Sequence, residues 1–405
     1  MNNQIGHILG LAALTIPGAT VFVPLAAAPF SYFFSVLFIY LAKETLIKYC
    51  FSLNIFIIAM VLLGWVFTSL LWTIEPIIAL EKIPRLIMSF MLGIIPIAVA
   101  KFICNEQKNI FAKYLVVGFC FCLVTLIIGL ARENGGLLPF VEPHNGVPGK
   151  EVFRMNRGAT ILAILLWPTI VLTVHKPFLS IAFVIVAMGT IICSASNAAI
   201  AGVTVSVAVF GFIWLRPKLT CNILFAACVL YIMFAPVIHS KLTDPKIFNV
   251  TSETIKNNKQ WFPRSAYHRL LIWSFVSKKT FEKPITGWGF YSSRVMPGGE
   301  DKLDLHETAL PLHPHNGILQ VWAELGCVGA LILIILCFSI RKTILKLQGR
   351  IEFAAATSMF MCSFVIICVS YGVWQSWWIA ILMLLSAFFL GSCRSGQLTQ
   401  KKVVK

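Results

Sequence analysis

The sequence predicts an all-α membrane protein of about twelve transmembrane helices, with one large exported loop between helices 9 and 10. Three observations lead to this fold class. Hydrophobic residues make up 58% of the 405 residues and charged residues only 12%, with a mean hydropathy of +0.85, which no ordinary water-soluble domain shows. Apolar runs of roughly 17–25 residues, the length that spans a bilayer core, recur along the chain. Lys and Arg residues gather in alternate loops between these runs.

The polar breaks divide the chain into the predicted spans. These lie near residues 8–26, 27–42, 53–72, 83–100, 114–131, 158–174, 178–193, 197–215, 221–238, 316–340, 353–371 and 374–392. The first two are the least regular, because Pro17, Pro24 and Pro29 interrupt one long apolar region. Since proline removes a helical hydrogen bond and kinks or ends a helix, this region could form a broken or re-entrant pair.

The Lys and Arg residues of the short loops predict the orientation, because such residues stay preferentially in the cytoplasm. One set of alternate loops contains Lys43, Lys48, Lys101, Lys108, Lys113, Lys176, Arg216, Lys218, Arg341, Lys342, Lys346, Arg350, Arg394, Lys401, Lys402 and Lys405. The opposite short loops contain only Lys82, Arg85, Arg132, Lys150, Arg154 and Arg157. Both termini are therefore predicted to be cytoplasmic. The same asymmetry accounts for most of the formal charge of +17, so nucleic acid is not expected as a partner.

The chain divides into four parts on this basis. Helices 1–9 occupy residues 1–238, the large exported loop 239–314, helices 10–12 residues 315–393, and a basic cytoplasmic tail 394–405. Within the exported loop, the pattern from Arg264 to Phe281 predicts an amphipathic helix that Lys283-Pro284 ends. Residues 287–290, Gly-Trp-Gly-Phe, predict a tight turn. A second, shorter polar loop is predicted from Arg132 to Arg157.

The cysteines do not indicate a disulfide or zinc framework. All 12 fall in predicted spans or their cytoplasmic flanks, and the exported loop contains none. Cysteine is therefore predicted to act as a small apolar residue.

The start of the tenth span contains the polar side chains most suited to catalysis. Asn316, Gln320 and Glu324 recur every four residues and so form one polar stripe on a helix. A carboxylate within a membrane is costly unless it is paired or faces water, so Glu324 is expected to face a cavity. Glu324, Gln320, Asn316 and His313 are predicted to bind the substrate there. His315 and His313 precede the stripe, where an imidazole can act as a general base. Alternatively, the two histidines are interfacial residues that cap a helix.

Several cations could serve an anionic substrate. Arg269 and Trp273 lie four residues apart on one helix face, which suits a guanidinium placed beside an aromatic ring. The other candidates near the exported ends of spans or in the loop are Lys82, Arg85, Arg157 and Arg264. Arginine binds phosphate with two parallel hydrogen bonds and stays charged, so convergence of these residues would indicate a lipid substrate with a pyrophosphate group. Alternatively, each interfacial arginine binds the headgroups of membrane lipids.

These motifs resemble the O-antigen ligase superfamily. His315-Asn316, followed after nine residues by Gly326-Cys327-Val328-Gly329, resembles the histidine-asparagine signature of that family. Arg269 with Trp273 and the stretch 283–290 resemble its arginine/tryptophan segment and its Pro-x-x-Gly-x-Gly turn. The diagnostic motifs occupy residues 264–329, while the layout of spans covers the whole chain.

The resemblance implies a glycosyltransferase that moves a glycan from undecaprenyl pyrophosphate to a lipid A-core hydroxyl, with inversion and without metal, nucleotide or other cofactor. It places the protein in the bacterial inner membrane, with the large loop and the reaction on the periplasmic side. His315 would activate or position the acceptor hydroxyl. Arg269, with Arg157 and Arg85, would stabilise the departing pyrophosphate. The family often carries an arginine after serine in a middle span, but residues 194–199 contain none, so Arg157 is expected to take that role.

Other functions remain open at this stage. An O-antigen polymerase or a protein O-oligosaccharyltransferase of the same superfamily would share these motifs. A lipid-linked glycan transporter would also have many spans, but it should carry charges deep in several of them. A metal site is a further alternative, with ligands from Glu300, Asp301, Asp304, His306, Glu307, His313 and His315. The spacing of these residues fits no standard metal motif.

Overall fold

The computed structural model describes residues 2–50, 54–133, 152–194, 196–242, 264–302 and 308–393. In chain order its helices are α1 (Asn2–Phe22), α2 (Ala27–Cys50), α3 (Asn54–Ser69), α4 (Pro76–Phe102), α5 (Asn105–Glu133), α6 (Val152–Thr173), α7 (Pro177–Cys193), α8 (Asn197–Phe212), α9 (Pro217–Leu242), α10 (Arg264–Glu282), α11 (Gly317–Ile344), α12 (Arg350–Val369) and α13 (Ser376–Ser392). Two 3-10 turns, Pro24–Ala26 and Ser292–Arg294, and a β-bridge between Lys302 and Thr308 complete the described structure. The predicted all-α class is confirmed.

Eight helices in the described ranges are long and apolar enough to cross a membrane, as expected of a multi-pass membrane protein. They are α1, α2 with the preceding 3-10 turn, α4, α5, α6, α9, α11 and α12. The apolar helices α3, α7, α8 and α13 contain 16 or 17 residues, at the lower limit for a span. Every predicted apolar segment lies on one of these helices, while the count of twelve spans stays a prediction.

The predicted interruption of the first apolar region occurs at Pro24. The helix stops at Phe22, Val23 leaves helical geometry with φ −126° and ψ 69°, and Pro24 starts the 3-10 turn. Pro17 lies within α1, and Pro29 lies in the first turn of α2, where a missing N–H is tolerated.

Packing places α6 in the middle of the helices and α10 beside the start of α11. Helix α6 contacts α1, α5, α7, α8, α12 and α13, and its residues 159–167 are all buried. The predicted amphipathic helix of the exported loop is confirmed as α10, which packs against α9 and α11 through its buried face. That packing brings the face of Arg269 towards the start of α11.

Several helices extend beyond the predicted spans, and two of these differences affect predicted features near the site. Helix α6 begins at Val152, so Arg157 lies on a helix and not at the end of a polar loop. Helix α9 continues to Leu242, beyond the predicted start of the exported loop at 239. In both cases the helix continues past its apolar stretch, because backbone hydrogen bonds can persist where a span emerges into water. Residues 134–151 and 243–263 lie outside the described ranges.

Candidate active site

Asn316 caps the first turn of α11. Its Oδ1 accepts hydrogen bonds from the backbone N–H groups of Ile318 and Leu319, both at 3.1 Å. Its Nδ2 donates to the hydroxyl of Tyr231 on α9 at 2.7 Å, and only 1% of the residue is exposed. Both ends of the amide are therefore bound by protein, which fixes where α11 begins.

His315 lies immediately before this cap in the left-handed backbone region, with φ +53°. Its Nδ1 lies 3.0 Å from the carbonyl oxygen of Ser370. In the neutral ring Nδ1 must donate this hydrogen bond, so the lone pair is on Nε2. The backbone N–H of His315 donates to Nδ1 of His313 at 3.2 Å, and the two ring centroids are 4.3 Å apart.

Both imidazoles are held neutral. Burial is the main cause that lowers the pKa of His315 to about 4, and the charge of Arg269 acts in the same direction. Burial also lowers the pKa of His313 to about 3, with contributions from His315, Arg294 and Arg269. A neutral His315 with an available Nε2 can accept a proton from a hydroxyl group at neutral pH.

Glu324 is paired within the protein and is 0% exposed, which corrects the expectation that it faces a cavity. Its Oε2 accepts from the backbone N–H of Tyr291 and from Nε1 of Trp374, both at 2.7 Å. Its Oε1 accepts from the Ser293 hydroxyl at 2.5 Å and from Gln320 Nε2 at 3.0 Å. Four donors thus satisfy the carboxylate that the sequence placed at the end of the polar stripe.

Gln320 connects the same network to the segment 370–375. While its Nε2 donates to Glu324, its Oε1 accepts from the backbone N–H of Val373 at 2.9 Å. Asn316, Gln320 and Glu324 do form one stripe, as predicted, but their polar atoms bind neighbouring protein segments.

Helix α11 is broken at Gly326, which has φ +63° and ψ −159°. The break frees carbonyl groups in the preceding turn, and other segments supply their donors. Trp288 N–H donates to Ala323 O at 2.8 Å, Gly289 N–H to Glu324 O at 2.9 Å, and Trp65 Nε1 to Leu325 O at 3.0 Å. The predicted tight turn of residues 287–290 therefore docks into the broken helix.

Glycine is required where these backbones meet. A Cβ on Gly326 would collide with the carbonyl of Ile285, and a Cβ on Gly287 would lie 2.5 Å from the Glu324 carbonyl oxygen. Both glycines also have positive φ. This contact gives a physical reason for glycines at these positions of both motifs.

The segment 370–375, between α12 and α13, lies at the centre of the site, and sequence reasoning missed it. It binds three of the predicted residues, through Ser370 to His315, Val373 to Gln320 and Trp374 to Glu324. Its composition offered a signal, because Ser370-Tyr371-Gly372-Val373-Trp374-Gln375 is polar and aromatic, but the predicted spans 353–371 and 374–392 included all of it except residues 372 and 373. The hydrogen bond from His315 to Ser370 places this short segment at the same end of the helices as the start of α11.

Tyr371 of this segment lies close to two of the predicted arginines. Burial is the main cause that raises its pKa, while hydrogen bonds and the charges of Arg157 and Arg269 act in the opposite direction. Its hydroxyl lies 3.3 Å from Thr160 Oγ1, and its ring packs edge-on against Trp377 with centroids 4.8 Å apart. The guanidinium of Arg157 lies over the same Trp377 ring at 5.2 Å.

Arg269 is partly buried and has no hydrogen-bond or ion-pair partner in the described part of the chain. Burial lowers the pKa of its guanidinium, which still remains protonated at neutral pH. The predicted pairing with Trp273 takes another form, since Trp273 Nε1 donates to the Pro314 carbonyl at 2.9 Å. Trp273 thereby supports the chain just before His315, and its ring packs against His239 of α9.

The other predicted cations are Lys82, Arg85 and Arg264. Lys82 Nζ lies 5.9 Å from the ring centroid of Tyr291, and Arg294, which was not predicted, lies 5.1 Å from it. Arg85 is exposed on α4. Arg264 begins α10, but its side chain lies outside the described residues.

The alternative metal site has no support among the described side chains, where no three His, Cys, Asp or Glu residues come together. Asp304, His306 and Glu307 of that alternative lie outside the described ranges.

Comparison with known proteins confirms the family resemblance. Residues 181–334 match the family model described as O-antigen ligase, a range that contains α10 and most of α11. The chain is 28% identical over 326 residues to a provisionally named polysaccharide ligase of Rickettsia typhi, covering 78% of this chain and 75% of the relative. Similar proteins, with the same provisional name, occur in Rickettsia prowazekii (28% identity, 78% and 75% covered) and Rickettsia conorii (26%, 80% and 76%).

Proposed function

We propose, from the match of residues 181–334 to the O-antigen ligase family, that this protein transfers a glycan from undecaprenyl pyrophosphate to a sugar hydroxyl of lipid A-core. The reaction takes place at the periplasmic face of the bacterial inner membrane, with both protein termini in the cytoplasm. It needs no metal or cofactor and inverts the anomeric carbon.

One observation carries this proposal. His315 is neutral, has its lone pair on Nε2 and is within electrostatic reach of Arg269. Arg269 and Arg157 both act on the adjoining Tyr371, and neither has a carboxylate partner among the described residues. Unpaired cations in a partly buried site favour an anionic ligand, and a pyrophosphate supplies the charge and the geometry that guanidinium groups bind.

The chemistry then follows from the positions of these groups. The acceptor hydroxyl attacks the anomeric carbon, its proton moves to Nε2 of His315, and the bond from that carbon to the pyrophosphate oxygen breaks with its electron pair. Arg269 and Arg157 stabilise the negative charge on the departing pyrophosphate. The Tyr371 hydroxyl, near both arginines, is a further donor to that group. Bound pyrophosphate also offsets the charge of Arg269 and so makes His315 a stronger base.

The other predicted residues hold this arrangement in place. Asn316 and Trp273 fix the backbone on either side of His315, while Gln320 and Glu324 fix the segments that carry Ser370 and Tyr291. Their side chains are bonded to protein, so we assign them a supporting role and expect His313 to shape the approach to His315. Groups locked in this way keep a catalytic base in position.

The test is transfer of glycan from synthetic undecaprenyl pyrophosphate to purified lipid A-core, in detergent with a chelator. Wild type should form product, whereas His315→Ala should lose at least about 100-fold in rate, as expected when a general base is removed. Lys278→Gln is the matched control, because Lys278 is exposed on α10. Its rate should equal that of wild type.

The acceptor decides between the related functions. Product on a growing O-antigen chain or on an acceptor protein, with none on lipid A-core, would replace the proposal by polymerase or protein glycosylation. Movement of the donor across a vesicle membrane without a new glycosidic bond would replace it by transport.

A further inference from the structure

A second pair of cations lies around the ring of Tyr291. Lys82 of α4 and Arg294 of the 3-10 turn approach the ring of Tyr291, at 5.9 and 5.1 Å from its centroid. Within the described ranges neither has an ion-pair partner. The nearby carboxylate of Glu324 is already bound by four donors and is fully buried.

The structure fixes the position of this pair. Tyr291 has the left-handed φ of +66°, a conformation that costs a residue other than glycine roughly 1–2 kcal/mol. The hydrogen bonds from Tyr291 N–H and from Ser293 Oγ to Glu324 hold the segment in place, and Arg294 follows directly. Arg294 therefore starts from a fixed backbone, unlike a basic residue on a mobile surface loop.

Arg294 also lies within electrostatic reach of the histidines. The charge of Arg294 contributes to the low pKa of His313, whose ring contacts that of His315. Arg157 and Arg269, in contrast, are coupled to Tyr371. The cations therefore form two pairs, one near Tyr371 and a second near Tyr291, and each pair contains one arginine that acts on the histidines.

We propose that Lys82 and Arg294 bind a phosphate substituent of the acceptor, carried close to the hydroxyl that is glycosylated. This rests on the proposed function, in which Arg157 and Arg269 already match the charge of the donor pyrophosphate. The acceptor is the other substrate that must reach His315, and two cations without a carboxylate partner favour a charged acceptor over a neutral one.

Acceptor binding and turnover together test this proposal. Phosphorylated core oligosaccharide and the same material after phosphatase treatment are titrated into wild type, Arg294→Gln and Lys82→Gln by calorimetry, and KM is measured for both substrates. We expect the affinity for the phosphorylated acceptor to fall at least about tenfold in each variant, as when one charged hydrogen bond is lost. Phosphatase treatment should weaken wild-type binding similarly and add little in the variants, while the KM for the donor stays unchanged.

Several outcomes would overturn it. Equal wild-type affinity for both acceptors would show that the acceptor charge is not recognised, and a raised donor KM in Arg294→Gln would assign Arg294 to the pyrophosphate. A loss that occurs only in nanodiscs with anionic lipid, and with either acceptor, would assign the pair to a membrane headgroup. Lys278→Gln controls for a general loss of positive charge. Acceptor binding is measured by calorimetry without turnover. Absence of transfer by wild type would therefore reject the proposed function, while the binding data would still test whether Lys82 and Arg294 bind the acceptor.

Discussion

Glu324→Gln tests whether the carboxylate at the end of the polar stripe supports the fold or contacts the substrate. The carboxylate accepts from Tyr291 N–H and Trp374 Nε1 on one oxygen, and from Ser293 and Gln320 on the other. Glutamine keeps one acceptor and replaces the other with a donor. The first two donors cannot change role, so the remaining oxygen should turn towards them.

The loss of stability in Glu324→Gln depends on which buried hydrogen-bond donors lose their acceptor. The Ser293 hydroxyl can rotate to accept from the new amide, but the Gln320 amide then faces another donor, because its oxygen is bound to Val373 N–H. One buried donor without a partner costs about 1–3 kcal/mol. Glu324→Ala leaves all four donors without an acceptor and should cost several-fold more, up to the limit that local rearrangement allows.

The assay is tryptophan fluorescence during heating in detergent at a fixed scan rate, since unfolding of such a protein is a rate process. We expect the apparent unfolding temperature to fall by a few degrees in Glu324→Gln and further in Glu324→Ala. Transfer per folded molecule should stay within about threefold of wild type for the glutamine variant, as expected when a residue acts only through positioning. Glu81→Gln, at an exposed carboxylate of α4, should match wild type. A glutamine variant with the stability of wild type and almost no transfer would refute the supporting role and restore the predicted substrate contact.

Three further predictions concern the site itself. Arg269→Lys should reduce kcat/KM by at least about tenfold although the charge is kept, because lysine cannot make two parallel hydrogen bonds to phosphate; a fully active variant would remove Arg269 from the mechanism. The low pKa of His315, about 4, and of His313, about 3, predicts that kcat/KM persists below the ordinary histidine value of about 6.5 and falls only as the pH approaches 4. The two histidines bind protons at a higher pH in the unfolded chain than in the folded protein, so the free energy of unfolding should also decline as the pH falls from about 6.5 towards 4. His315→Asn should make part of that decline smaller. A fall of wild-type activity already near pH 6.5 would contradict the low pKa of His315. Gly326→Ala should lower the unfolding temperature more than Gly211→Ala, since a Cβ at Gly326 meets the Ile285 carbonyl whereas Gly211 has open space; equal effects in thermal unfolding would show that the docked turn adds no stability.

Much of the fold could be predicted from local sequence. Apolar length and the positions of Pro24 and Pro284 determine where helices form and stop, and these signals act within a few residues. Helix α10 was predicted for the same reason, because its amphipathic pattern is continuous from Arg264. The start of α6 was misplaced, since the first turns of a helix that lie outside the bilayer carry no continuous apolar signal.

The site was predicted in part. His315 and Arg269 stood out because unpaired polar groups beside an apolar run are costly without a role, and the structure places them in one region. Tyr371 was not assigned, because it lay at the end of a predicted span and far along the chain from Arg157 and Arg269. Arg294 was not assigned, because Lys82, which approaches the same Tyr291 ring, lies in a distant segment. Glu324 was predicted to face a cavity because three of its four donors come from two other segments, which one sequence cannot pair.

The sequence by itself determined the membrane class, the helix positions and the motif around His315, because these depend on apolar length, helical spacing and local backbone preference. Only the tertiary structure decided which polar groups are satisfied by protein and which are left for a ligand. Hydrogen bonds of Gln320 and Glu324 join α11 to residues 284–293 and to residues 370–375, between positions up to 53 residues apart. Those pairings are set by helix packing, and they leave Arg269 and Arg157 without a carboxylate partner among the described residues.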